Sequence, residues 1–231
     1  MYGQPETEYS DVQHRQDSRR WCPSGKRSIL SAGLWLMHTD APELTYLMSS
    51  IVSEPNWRGP RGKKLAARLI ESLQGDPFWW DFFRRSASDT HSHWALHVAI
   101  FQEPFLTWVF EGRKRVESRF SHHQVAPYGE VNPGDVIALK RVGGPIVGLC
   151  LATACWSYRL DAKIWCHIRD HFAERLCAAS EEFWTSRRSA RFVTLISIDH
   201  VRSVSDIDYP KTDRRGWVIE RSRVAQQVMD L

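Results

Sequence analysis

The segment from Gly112 to Arg119 reads G-R-K-R-V-E-S-R, and it constrains the fold more than any other stretch of the chain. It places four cations and one carboxylate between a helical run, Glu103 to Glu111, and a glycine-aspartate turn at Gly134 and Asp135. The helix must stop at Gly112, where the missing Cβ permits a left-handed cap, and a strand must begin within a few residues. Glu117 and Arg119 are two apart, so a strand points both to one face. Lys114 falls just past the helix end, where the last carbonyls favour a cation, and no neighbouring acid claims it. Taken alone, the segment reads as a basic β-strand with one intra-strand ion pair.

The elements around it alternate in type. Apolar residues predict short helices between Ile29 and Ser53 and another from Lys63 to Leu73, with Leu65, Ala66, Leu69, Ile70 and Leu73 at helical spacing. Asn56 to Gly62 breaks the pattern. Gly75 ends the Lys63 to Leu73 helix, and Asp76 with Pro77 starts the next, Phe78 to Arg85. Beyond the polar link Ser86 to Ser92, strands dominate. They are expected at Leu96 to Phe101, Val116 to Phe120, Val136 to Arg141, Ile146 to Cys155 and Phe192 to Val204. Asp161 caps a helix with the stripe Ile164, Trp165, Ile168, Phe172 and Leu176, and Ser180 caps a short helix through Trp184. The expectation is an α+β chain: a small β-barrel with inserted helices, preceded by a small helical appendage. Its parts are a disordered tail (1–28), the appendage (29–90), the barrel (91–222) and a C-terminal tail (223–231).

Residues 97–141 contain the order strand, helix, G-x-K-x-x-E-x-R, loop, P-G-D and hydrophobic strand. Gly112, Lys114, Glu117, Arg119, Pro133, Gly134 and Asp135 occupy its fixed positions. This resembles the ASCH domain, a branch of the PUA-like superfamily of small β-barrels, over about 95–220. The resemblance implies a PUA-like barrel with a cleft beside the motif, lined by Lys114, Glu117 and Arg119. It also implies RNA, a nucleotide or a modified base as ligand. One bacterial branch of the family is an amidohydrolase acting on N4-acetylcytidine. Its catalytic set includes the motif lysine, a threonine three residues later and a distant glutamate. Lys114 matches the lysine, whereas Glu117 stands where the threonine would be, and a carboxylate does not supply a hydroxyl nucleophile. Other members are linked to ribonuclease activity, for which Lys114 with Glu117 as base is workable equipment.

The residues themselves allow this chemistry and also plainer readings. A lysine and an arginine can neutralise a phosphate, and a guanidinium can grip a planar edge in bidentate fashion. Glu117 can accept from an exocyclic amine, or it can brace Arg119. Lys140, at a strand end with Arg141, either faces the cleft or is solvated. Tyr128, in Ala126-Pro127-Tyr128-Gly129, either stacks on a base or packs. Arg214, Arg215 and Trp217, in K-T-D-R-R-G-W, either bind phosphate and stack or form a solvated turn before a last strand. Trp79, Trp80, Phe82 and Phe83 either anchor a protein partner or pack on the barrel.

Composition bounds the rest. The 231 residues, 42% hydrophobic and 25% charged, suit one large domain or a domain with an appendage. A net charge of +4 permits a nucleic-acid ligand without requiring one. Eleven tryptophans are core or stacking surfaces. Five cysteines without C-x-x-C spacing predict reduced, mostly buried thiols rather than a disulfide framework or zinc site. Histidines 91, 93 and 97 alternate without a carboxylate or cysteine to complete a metal set, and His122 or His123 either serves as an acid or base near neutrality or is a surface residue, so neither a metal nor another cofactor is expected. No nucleophile elbow and no phosphate-cradling G-x-x-x-x-G-K-S/T loop is present. The absence of an apolar signal core and of a membrane-length apolar run predicts a cytoplasmic protein with no membrane partner.

Overall fold

The computed structural model describes residues 41–88, 93–211 and 213–223. The expected tail at 1–28, positions 29–40 of the appendage and residues 224–231 lie outside the described residues. Three helices come first: α1 (Ala41–Ser53), α2 (Pro60–Ser72) and α3 (Pro77–Ser88). Pro60 opens α2 because the first helical position needs no amide donor. Asp76 caps α3, accepting from Phe78 N at 3.1 Å and Trp79 N at 3.0 Å.

The remaining elements are β1 (Leu96–Phe101), α4 (Phe105–Phe110), β2 (Val116–Ser121), β3 (Val136–Arg141), β4 (Ile146–Arg159), α5 (Ala162–Leu176), α6 (Glu181–Thr185), β5 (Phe192–Ile207) and β6 (Trp217–Arg221). The strands form one mixed sheet in the order β2-β5-β4-β3-β1-β6. Only the β1–β3 pair is parallel among them, and helix α4 lies in its crossover, as parallel pairing requires. Strands β4 and β5 run longer than the apolar pattern indicated, because their distal halves are mostly half-buried and exposed residues without a continuous apolar signal. Three register irregularities in their pairing bend them, and the sheet curls into a half-barrel.

Both faces of the sheet are covered, which is why β1 and β3 are buried almost throughout. Ala99, Phe101, Ile137, Leu139, Cys150, Ile196 and Trp217 fill the inside of the curl together with Leu106 and Val109 of α4. Helices α5 and α6 pack Ile168, Phe172, Leu176 and Phe183 against Val116, Val193 and Leu195. The three leading helices join Leu96, Val98, Val136 and Ile146 in a third core.

That third core bears on the aromatic cluster of α3. Trp79 and Phe83 are 1% and 2% exposed, Trp79 Nε1 donates to His200 O of β5 at 3.0 Å, and Trp80 and Phe82 pack against the same core. Trp79 and Phe83 therefore pack on the sheet, while Trp80 and Phe82 are half-buried beside them. Two buried charges join the same regions: Arg221 pairs with Glu54, and Glu220 accepts from Arg61 Nε at 2.8 Å. Among the described cysteines, all free, only Cys150 is buried; Cys155 and Cys177 are half-buried and Cys166 is exposed. The expectation of mostly buried thiols fails at Cys166 because it falls off the apolar stripe of α5. No described helix is long and apolar enough to cross a membrane.

Candidate functional site

Gly112 takes φ +70°, and its amide bonds Val109 O at 3.1 Å while Arg113 N and Lys114 N both reach Trp108 O at 3.0 Å. This left-handed cap ends α4 and turns the chain back before β2 starts. The turn decides the fate of Lys114. Its Nζ donates to Val116 O at 2.8 Å and to Leu176 O at 3.3 Å, and it lies 3.3 Å from Glu117 Oε2. The helix end that it caps is that of α5, not α4. The expectation that no acid claims it is corrected: residues 113–115 are not yet strand, so the turn folds Lys114 onto Glu117. Burial pushes the Lys114 ammonium pKa down, and the Glu117 carboxylate opposes that shift.

Glu117 is 6% exposed and is held from its other side by Arg119, whose Nε lies 2.8 Å from Glu117 Oε1. Arg119 reaches further. Its Nη1 donates to Gly216 O at 3.1 Å and its Nη2 to Ile100 O at 3.0 Å, with its guanidinium carbon 5.3 Å from the Phe101 ring centroid and 5.2 Å from that of Trp217. Strand β2 is one edge of the sheet and β6 the other, and no backbone pairing joins them. The Arg119 side chain thus spans from one edge to the chain entering the other. Gly216 makes room, since a Cβ there would lie 3.3 Å from Nη1.

A cleft of about 1020 Å³ opens over this triad. Lys114, Glu117, Arg119, Lys140, Arg214 and Arg215, all singled out from the sequence, line it together. Lys140 is turned on its own hairpin, donating to Gly144 O and to Arg141 O at 3.3 Å, and burial lowers its pKa, with Lys211 adding to the effect. Arg215 Nη2 sits 2.7 Å from Asp213 Oδ2, and Lys211 pairs with the same carboxylate. The Arg215 and Lys211 contacts hold the Asp213 pKa well below the usual carboxylate range. Arg214 is exposed, and no described carboxylate pairs with it.

Two residues expected to stack on a base are elsewhere. Tyr128 is outside the cleft lining, half-buried edge-on to Phe192 with ring centroids 5.3 Å apart. Trp217 is 3% exposed, and its Nε1 donates to His97 Nδ1 at 3.1 Å. Because indole nitrogen can only donate, His97 carries its proton on Nε2, which faces Asp135 Oδ2 at 3.2 Å. Asp135, fully buried, also accepts from Ala95 N at 2.7 Å, Asn132 N at 2.8 Å and Arg223 Nε at 2.8 Å. The aspartate of the P-G-D turn is therefore the knot that fastens the starts of β1 and β3.

The cleft also contains residues that sequence reasoning missed as site residues. Phe101, Phe105, Phe183 and Tyr209 supply aromatic surface, and Asp206, Asp208, Lys211 and Arg187 add charge. Lys211 belongs to the K-T-D-R-R-G-W cluster, where only its neighbours drew attention. Arg187 carried a local signal in its spacing of four from Phe183 across α6. Among the described residues no group of three or more His, Cys, Asp or Glu is placed to hold a metal.

A curled α+β sheet with a helix–cap–strand charge triad at its mouth is the arrangement that the ASCH motif implies. No family model matches the chain, and no curated protein matches it. Among solved structures it is similar to ASCH from Zymomonas mobilis, at 11% identity and a TM-score of 0.40, over 49% of this chain and 73% of that one. A single-substitution variant of the same Zymomonas protein matches at 11% identity and 0.40 over 75% of its length. These overlaps are loose, and the fold class rests on the strand order and the motif geometry.

Proposed function

We propose that the chain binds RNA, a nucleotide or a modified base in the cleft beside Lys114, Glu117 and Arg119. One observation carries this reading: cations from four separate segments converge on one concave, aromatic-lined surface. They come from β2, from β3, from the turn after α6 and from the stretch before β6. Such a surface offers phosphate contacts beside faces on which bases stack. Lys114 and Arg119 are largely spent on the scaffold, so the exposed Arg214 and Arg215 are the phosphate-binding groups that mutation can test cleanly. Arg214→Ala with Arg215→Ala should weaken binding of a single-stranded RNA in fluorescence anisotropy. The slope of log affinity against log salt should fall by about 0.7 for each phosphate that is no longer neutralised. Unchanged affinity and slope would sink the proposal.

A second reading has one specific observation in its favour. Lys114, its pKa lowered by burial, lies 3.3 Å from Glu117, which is acid–base equipment for a hydrolase acting on a modified nucleoside or on RNA. Turnover of N4-acetylcytidine or RNA that disappears in Glu117→Gln, with binding retained, would favour it.

A further inference from the structure

Arg187 has no place in the motif, yet it is a half-buried cation of the cleft with an uncommitted hydrogen-bonding edge. It follows α6 directly and is half-buried. Its Nη1 donates to Phe183 O at 2.8 Å and to Ser186 Oγ at 3.0 Å. The guanidinium carbon sits 3.9 Å from the Phe183 ring centroid, close enough for a cation–π contact. These contacts fix the plane of the group while occupying a single nitrogen. Among the described residues, neither Nε nor Nη2 has a hydrogen-bond partner, and no carboxylate forms an ion pair with Arg187. The carboxylate that influences it most, Glu117, is already bracketed by Lys114 and Arg119. Burial lowers the pKa of Arg187, the direction expected of a cation lacking a sufficient counter-charge.

The Nε–Nη2 edge is the side of a guanidinium that matches two oxygens of a phosphate in parallel hydrogen bonds. A helix cap made through Nη1 does not need that edge, and a lysine could make such a cap equally well. We propose that Arg187 is a phosphate-gripping residue of the cleft, holding two oxygens of a ribonucleotide phosphate on its Nε–Nη2 edge. This rests on the nucleotide reading above. Phe183 acts as a positioning residue, since its ring and carbonyl orient the fork before any ligand arrives and so reduce the ordering cost of binding.

The test is calorimetric titration of the full chain, wild type and Arg187→Lys. The ligands are the four ribonucleoside 5′-monophosphates, the matching nucleosides and a random-sequence single-stranded RNA octamer. Lysine keeps the charge and the cap but cannot form the fork. Arg187→Lys should therefore lose about tenfold to a hundredfold in affinity for the phosphate-bearing ligands and keep its affinity for nucleosides. Loss on the monophosphates assigns the fork to a terminal phosphate; loss on the octamer alone assigns it to an internal phosphodiester. Equal loss for nucleosides and nucleotides, or no loss at all, overturns the role of Arg187 while leaving the cleft reading standing. A wild type that binds none of the three ligand types overturns both. Arg187→Gln, which keeps a polar side chain without charge, repeats the comparison should the lysine variant melt early.

Discussion

Replacing Arg119 by alanine removes the side chain that spans from the β2 edge of the sheet to the chain entering β6, two strands that do not pair with each other. Two charge-assisted bonds to carbonyls go with it, to Gly216 at 3.1 Å and to Ile100 at 3.0 Å, together with the packing over Phe101 and Trp217. Hydrogen bonds from charged groups contribute about 1.5–3 kcal/mol each. The side chain is 20% exposed, so the lower figure applies, and the two bonds come to about 3 kcal/mol. Glu117 adds little to this loss, because Lys114 remains 3.3 Å away to hold it. For a chain of this size the expected fall in Tm is about 6–12 °C. Arg119→Lys should recover less than half, since a compact ammonium cannot serve two carbonyls and Glu117 together. Hydrogen exchange supplies the local readout. The Ile100 amide, bonded to Gly216 O at 3.1 Å, and the amides of β6 should exchange faster in Arg119→Ala, while those in the middle of β4 should not. A variant as stable as wild type, with unchanged exchange at Ile100 and in β6, would refute the idea that this side chain holds the edges together.

Two other perturbations separate structural charges from available ones. Lys114 has a folded-state pKa below the ordinary lysine range, so in the interval between the two values the unfolded chain binds more protons than the folded one. Stability attributable to it therefore rises with pH across that interval, by at most about 1.4 kcal/mol per pH unit. Urea denaturation between about pH 7 and about pH 10 should show wild type gaining on Lys114→Met as pH increases, and parallel curves would refute the assignment. Asp135→Ala orphans the buried donor Ala95 N, frees the part-buried Asn132 N and removes the carboxylate that faces Arg223 and His97. It should cost about 3–5 kcal/mol in the same assay, and a loss below about 1 kcal/mol would mean that the knot is dispensable.

The elements were legible in the sequence because each rests on local chemistry. Gly112 needed a left-handed cap, Asp76, Asp161 and Ser180 had capping side chains, and the run Leu96 to Phe101 matched a strand buried on both faces. The motif likewise placed Glu117 and Arg119 on one face of a strand. The lengths of β4 and β5 were less visible, since the two strands pair across a connection that holds α5 and α6 and their added residues carry no continuous apolar signal. For Tyr128 and Trp217 the sequence left stacking and packing both open, because an aromatic beside glycine or cations has the same local signature whether it points outward or into a core.

By itself, then, the sequence determined where helices stop, where strands start, and which charges lie near one another along the chain. Only the tertiary structure decided what those charges do. The turn after Gly112 brings Lys114 onto Glu117 and onto the end of α5, 62 positions further along. The curl of the sheet brings Gly216 within 3.1 Å of Arg119, across 97 positions. It also delivers Arg187 to the same cleft with one edge open. Electrostatic partnership falls off within a few ångströms in a hydrated protein, so approaches that close depend on how distant segments pack, which local spacing does not encode.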